Sequence, residues 1–133
     1  MSRIKRYPGP AALPLSRATQ AGDFLFLSGQ IPMDASGQVV RGNITTQTDA
    51  VFDRIVETLG KAGCHLQDVV RATVWLSDLA LFDEFNQAYA RRFGNALPAR
   101  STVQARLARD VDVEIEVQAL SPKRRPPGPV SEA

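Results

Sequence analysis

Arg100, Glu114, the Ser28-Gly29 pair and Asn86 are the residues in this 133-residue chain whose types and settings suit chemistry. Arg100 follows Leu97-Pro98-Ala99, so proline sets an extended approach and the arginine opens a strand among small neighbours. A guanidinium held there can offer its planar fork to a carboxylate in a two-point contact. The same spacing also suits a salt bridge at a strand edge. Glu114 lies in an alternating strand, where a partly desolvated carboxylate would hold protons more tightly and could move one to or from water. A solvated strand face is the other reading, and Glu116 looks like such a residue. Gly29 ends a short apolar strand and permits close approach of backbone to a ligand, or simply makes a strand-to-turn glycine. Asn86 sits one residue off the apolar stripe of a helix, where it could reach a site or cap a loop.

Several familiar chemistries are missing. His65 is the only histidine and Cys64 the only cysteine, which excludes a Cys/His metal cluster, a histidine relay and an intrachain disulfide. His65 reads as a surface loop residue. Cys64, between Gly63 and His65, reads as structural and suits a reducing compartment. No Walker loop and no GxGxxG after a strand is present, so a nucleotide cofactor is not expected. Catalysis here would rest on carboxylates, arginine, hydroxyls and backbone.

The elements that must position these groups follow from periodicity. Phe24-Leu25-Phe26-Leu27 reads as a strand buried on both faces. Asp34–Gly37 is a turn, and Gln38–Val40 a candidate short return strand. Phe52, Ile55, Val56 and Leu59 form one helical stripe within Ile44–Ala62, with Asn43 as N-cap and Gly63 as stop. Val69–Leu76 alternates, with Val70, Ala72, Val74 and Leu76 on an apolar face and Val69, Arg71, Thr73 and Trp75 on a mixed one. Leu79–Phe93 is a second helix, carrying Phe82, Phe85, Tyr89 and Phe93 between an Asp78 cap and Gly94. Arg100–Ala105 and Val113–Leu120 are two further strands. Tyr7–Ser16, rich in proline and glycine, reads as an extended lead-in. The order predicts an α+β domain, a mixed β-sheet with two helices packed on one face.

Two helices cover only one face of a sheet. Phe24, Phe26 and Trp75 would then leave an apolar patch on the other, which is unusual for a monomer. Another copy of the chain is the simplest cover, so a homo-oligomer is expected.

Composition bounds the remaining classes. The length suits one domain, expected over residues 1–120. Residues 121–133, with four prolines and a basic run, read as a disordered tail. That tail carries Lys123, Arg124 and Arg125 against Glu132, which accounts for the whole net charge of +2 and leaves the domain neutral. A neutral body is a poor match to a nucleic-acid binder. No apolar run reaches the roughly 18 residues that span a bilayer, and the N-terminus lacks the apolar core of a secretory signal. A cytoplasmic location is expected.

Three segments together resemble one family. Ser28-Gly29-Gln30-Ile31-Pro32 and Pro98-Ala99-Arg100-Ser101 look like the two signatures of the reactive intermediate deaminase (RidA, or YjgF-type) family, and Val111–Glu116 resembles its last strand. The resemblance runs from about Leu13 to Leu120. It implies a chorismate-mutase-like fold, a homotrimer with active sites between subunits, and no metal or organic cofactor. It implies hydrolytic deamination of 2-imino or enamino carboxylic acids, a reaction at a C=N bond giving a 2-oxo acid and ammonia. By position, Arg100 matches the arginine that clamps the substrate carboxylate, and Glu114 the glutamate that positions or protonates at the water. Ser28, Gly29 and Asn86 match pocket residues. Thr102 falls where many members have cysteine, with its backbone expected at the ligand.

One departure bears on substrate. The family's Gly-Pro-Tyr-Ser segment stands here as Leu13-Pro14-Leu15-Ser16, so Leu15, which cannot hydrogen bond, replaces a pocket tyrosine. A larger or more apolar imine, including a 2-aminomuconate-type intermediate, suits that change. A non-enzymatic small-metabolite-binding protein on the same scaffold is a competing reading, though Arg100 and Glu114 retained together argue against it. An RNA-directed activity, described for some relatives, is opposed by the neutral domain and the lack of a histidine pair.

Overall fold

Backbone pairing, more than side-chain pattern, determines which strands join the sheet. The computed structural model describes residues 3–122. Six strands form one sheet: β1 (Ile4–Pro8), β2 (Ser16–Ala21), β3 (Phe24–Leu27), β4 (Val69–Leu76), β5 (Ala99–Gln104) and β6 (Val113–Leu120), in the order β1-β2-β3-β6-β4-β5. Every pairing is antiparallel except that of β4 with β5.

The first two strands depart from the expected lead-in. The exposed edge strand β1 pairs with β2 from Ile4↔Ala21 to Pro8↔Ser16, with a bulge at Tyr7/Pro8 where proline offers no N–H to the ladder. In β2 the inward positions hold Ala18 and Gln20, too weak an apolar alternation to mark a strand. The return strand expected at Gln38–Val40 is not there. Met33 and Val39 form an isolated bridge around a turn in which Asp34 Oδ1 accepts from the Ser36 and Gln38 amides, both at 2.9 Å.

The two helices lie as expected. Helix α1 (Ile44–Lys61) begins where Asn43 Oδ1 accepts from Thr46 N at 2.9 Å, and the chain turns away at Gly63 with φ of 74°. Helix α2 (Phe82–Phe93) follows a single 3-10 turn, Leu79–Leu81, started by Asp78 accepting from Ala80 N. Phe52 of α1 meets Phe93 and Tyr89 of α2 edge-on, with centroids 5.3 and 5.8 Å apart. Val56 departs from its predicted stripe and is exposed, whereas Phe52, Ile55 and Leu59 are fully buried.

Both helices cover one sheet face, formed by Leu25, Leu27, Ala72, Val74, Leu76, Val113, Ile115, Val117 and Ala119. The start of β4 corrects the predicted alternation. A bulge between Val69 and Arg71 buries Val69 against Ala119 and turns Val70 outward. The opposite face presents Phe24, Phe26, Trp75, Val103 and Leu120. Within one chain β3 is therefore not buried on both faces, since Phe24 and Phe26 keep 43% and 39% of their surface exposed. Cys64 is buried beside the carbonyls of Ala62 and Leu120 and takes part in no disulfide. No helix among the described residues is long and apolar enough to cross a membrane. Of the tail expected over residues 121–133, Ser121 is instead buried, its N–H donating to Asp23 O at 2.7 Å, and residues 123–133, with the basic run, lie outside the described residues.

Candidate active site

In-register partners in a sheet point their side chains to the same side. Arg100 aligns with Ala72, and Ala72 with Val117, so Arg100 projects on the helix-covered side at the edge strand. Thr102, aligned with Val74, projects on that side as well. Glu114 aligns with Trp75, and Trp75 with Val103, which puts its carboxylate on the open face. One chain therefore does not bring Arg100 and Glu114 together. Two strand spacings and three residues separate them, about 14 Å between their Cα atoms, with side chains on opposite faces. Two polar clusters result.

The first cluster surrounds Arg100. Its guanidinium lies 4.7 Å from the Tyr89 ring centroid, 5.5 Å from that of Phe85 and 5.6 Å from that of Phe82. These rings lie at i, i+3 and i+7 on α2, so one helical stripe builds an aromatic platform for the cation. Among the described residues Arg100 has no ion pair with a carboxylate. The salt-bridge reading of the strand edge is thus replaced by a cation on π faces. Asn86 shares this stripe, four residues from Phe82 and three from Tyr89, and its Oδ1 is buried without a hydrogen-bond partner. It lies within the platform's helix face and not beside it. Burial pushes the Tyr89 phenol up from its usual pKa, against the opposing pull of the Arg100 charge.

The second cluster surrounds Glu114. Gln30 and Ile115 exchange backbone hydrogen bonds, Gln30 N to Ile115 O at 2.8 Å and Ile115 N to Gln30 O at 3.1 Å. This clamp carries Ser28-Gly29 alongside the start of β6. A β-carbon on Gly29 would collide with the Glu114 carboxylate. Glycine at 29 therefore lets the acid lie against backbone. Ser28 Oγ donates to Ser16 O at 2.6 Å, which fixes the serine beside Leu15-Ser16. Leu15 is exposed there, with Gly9 packed on it. Glu114 is half-buried; burial first, and the charge of Glu116 second, raise its pKa. Glu116, expected on a solvated face, is half-buried too and aligned with Thr73.

Behind Glu114 a polar network anchors the start of β6. Asp112 accepts from Ser77 Oγ at 2.6 Å and from Gln47 Nε2 at 2.9 Å, and its own N–H donates to Gln47 Oε1 at 2.9 Å. Sequence reading missed both this anchor and the aromatic platform. Gln47 interrupts an apolar helix pattern and stood as the available sign of a buried polar contact. Phe82, Phe85 and Tyr89 were legible only as core. No group of three or more His, Cys, Asp or Glu side chains suited to a metal ion occurs among the described residues.

The fold is one already known. The crystal structure of YyfA from Yersinia pestis, a protein of the conserved Rid family, superposes with a TM-score of 0.80 at 33% identity, covering 86% of this chain and 93% of that one. The sequence profile described as Endoribonuclease L-PSP matches residues 7–121. This chain belongs to that family, the one that includes the YjgF, RutC and Rid proteins. A RutC family protein from Pyrococcus horikoshii is 45% identical over 108 residues, 80% of this chain and 86% of the relative. The 2-iminobutanoate/2-iminopropanoate deaminase of Mus musculus is 39% identical over 120 residues, 88% of this chain and 89% of that protein.

Proposed function

We propose that this chain is a hydrolytic deaminase of small 2-imino or enamino carboxylic acids, working at sites formed between copies of itself. The observation that carries the reading is the split arrangement of Arg100 and Glu114. Arg100 is a cation without an acidic partner among the described residues, held on aromatic rings on one side of the sheet. Glu114 is a half-buried carboxylate whose pKa is raised by burial, on the other side, next to an apolar face that a monomer would leave exposed. Only a neighbouring chain can bring an Arg100 to face a Glu114. A homotrimer in which the β5 edge of one chain sits against the open sheet face of the next would do so and would cover Phe24, Phe26 and Trp75. The name of the mouse relative supports the substrate class.

The chemistry needs little. R–C(=NH)–COO⁻ and water become R–C(=O)–COO⁻ and ammonia, with no electron transferred. The Arg100 fork holds the carboxylate. Glu114 takes a proton from water as its oxygen bonds to the imine carbon and passes it to nitrogen, giving the carbinolamine; it then takes the hydroxyl proton as C=O forms and delivers it to nitrogen as the C–N bond breaks and NH3 leaves. Ser28, Gly29, Asn86, Thr102 and Leu15 line the pocket. Orientation and one acid/base group account for most of the acceleration, the latter contributing on the order of 10²–10⁴-fold. No cofactor enters this scheme. The family's ribonuclease description finds little support here, because the chain has a single histidine and a domain without net charge.

The test is release of ammonia and 2-oxo acid from enzymatically generated 2-iminobutanoate and 2-iminopropanoate. Turnover by the native protein, with KM raised at least tenfold in Arg100→Ala and kcat lost in Glu114→Gln, is expected. Tight binding of the 2-oxo acid without any turnover would instead indicate a metabolite-binding protein.

A further inference from the structure

A guanidinium has five N–H donors. A two-point contact with a carboxylate uses two of them, and the rest need acceptors or water. Among the described residues no carboxylate pairs with Arg100. Beside it lies Tyr89, only 4% exposed, with its ring centroid 4.7 Å from the guanidinium carbon and its buried hydroxyl close to the Arg100 guanidinium but short of hydrogen-bond geometry. A buried hydroxyl left unpaired is costly and calls for an explanation. Phenylalanine would fill the same space, in T-shaped contact with Phe52 and tilted contact with Phe85 and Phe93, without that cost.

We infer that Tyr89 is the positioning residue of Arg100, deepening the function proposed above and resting on it. The ring supports the plane of the cation. The hydroxyl is the acceptor for a guanidinium N–H turned away from the ligand, drawn into line when a carboxylate engages the fork. Tyr89 thus sets the orientation of the fork without touching substrate. Packing alone does not explain the tyrosine, since phenylalanine would fill the same space without burying a hydroxyl that lacks hydrogen-bond geometry.

The experiment compares Tyr89→Phe and Tyr89→Leu in the native and Arg100→Ala backgrounds. It measures KM and kcat for 2-iminobutanoate, equilibrium Kd for 2-oxobutanoate, and Tm. Tyr89→Phe is expected to raise KM and Kd about 3- to 10-fold, the range of one modest hydrogen bond. Its kcat should stay within about twofold, and its Tm should be equal to or above that of the native protein. Tyr89→Leu, losing the ring as well, should raise KM by about 30-fold. In the Arg100→Ala background Tyr89→Phe should change kcat/KM no further, because the two residues act as a unit. Unchanged KM and Kd in Tyr89→Phe, or equal losses in both backgrounds, would overturn the positioning role while an active native enzyme left the deaminase reading intact. A native protein that neither turns over the imine nor binds 2-oxobutanoate would overturn both.

Discussion

Gly29→Ala is the sharpest probe of the Glu114 cluster, because the structure says what the added methyl would strike. A β-carbon at residue 29 would sit 3.1 Å from Glu114 Cδ and 3.3 Å from its Cγ, with Oε2 closer still. Ordinary carbon contacts begin near 3.5 Å. The obstacle is the far end of a flexible side chain and not backbone, so the carboxylate yields and the fold survives. Gly29 does not use a positive φ, so alanine meets no backbone strain, and stability should change by less than about 1 kcal/mol. Clearing the methyl moves the carboxylate by about 1 Å, a displacement that costs on the order of 10²-fold in rate when the moved group does the chemistry. The assay is kcat for 2-iminobutanoate beside Tm for each variant. Gly29→Ala should lose about 100-fold in kcat with little change in Tm. Added to Glu114→Gln it should lose almost nothing more, since both act on one group. Activity within threefold of the native protein would refute the argument that Glu114 must lie against the residue 29 backbone to work.

Other expectations follow from the same geometry. Glu114 holds its proton more tightly folded than unfolded, so its contribution to stability is fully present below the unfolded value near 4.5 and is lost as pH rises through the raised native value. Glu114→Gln should therefore flatten the fall of Tm between that pH and 7, and a mutant curve parallel to the native one would count against it. Phe26→Asp, on the open sheet face, should dissociate the assembly to monomer by light scattering and abolish turnover; an intact, active oligomer would place the interface elsewhere. Leu15→Tyr should improve kcat/KM on short imines. A variant inert on every imine, beside an active native protein, would show that Leu15 does not set the choice of substrate.

Much of the architecture was legible in the residues alone. The helices followed from apolar spacing and from caps that the structure repeats, with Asn43 on the Thr46 amide and Asp78 on the Ala80 amide. The α+β class and a one-sided helix layer followed as well, because an amphipathic stripe carries its own direction. The types of chemistry were bounded by a single histidine and a single cysteine. Strands are different, since they are made by their neighbours. β1 and β2 join the sheet through backbone ladders with only Ala18 and Gln20 facing inward, and no pattern in their residues announces this. The bulge at Val70 reverses which side chains are buried, and a bulge is a property of two strands in register. Residue types nominated Arg100 and Glu114, but their placement on opposite faces emerged only when β6, β4 and β5 were aligned. Likewise Tyr89 was visible as a core aromatic, while its place under the guanidinium is a distance between a helix and an edge strand. Local pattern specifies what one segment prefers, whereas a site is a relation among segments, which the packed chain alone decides.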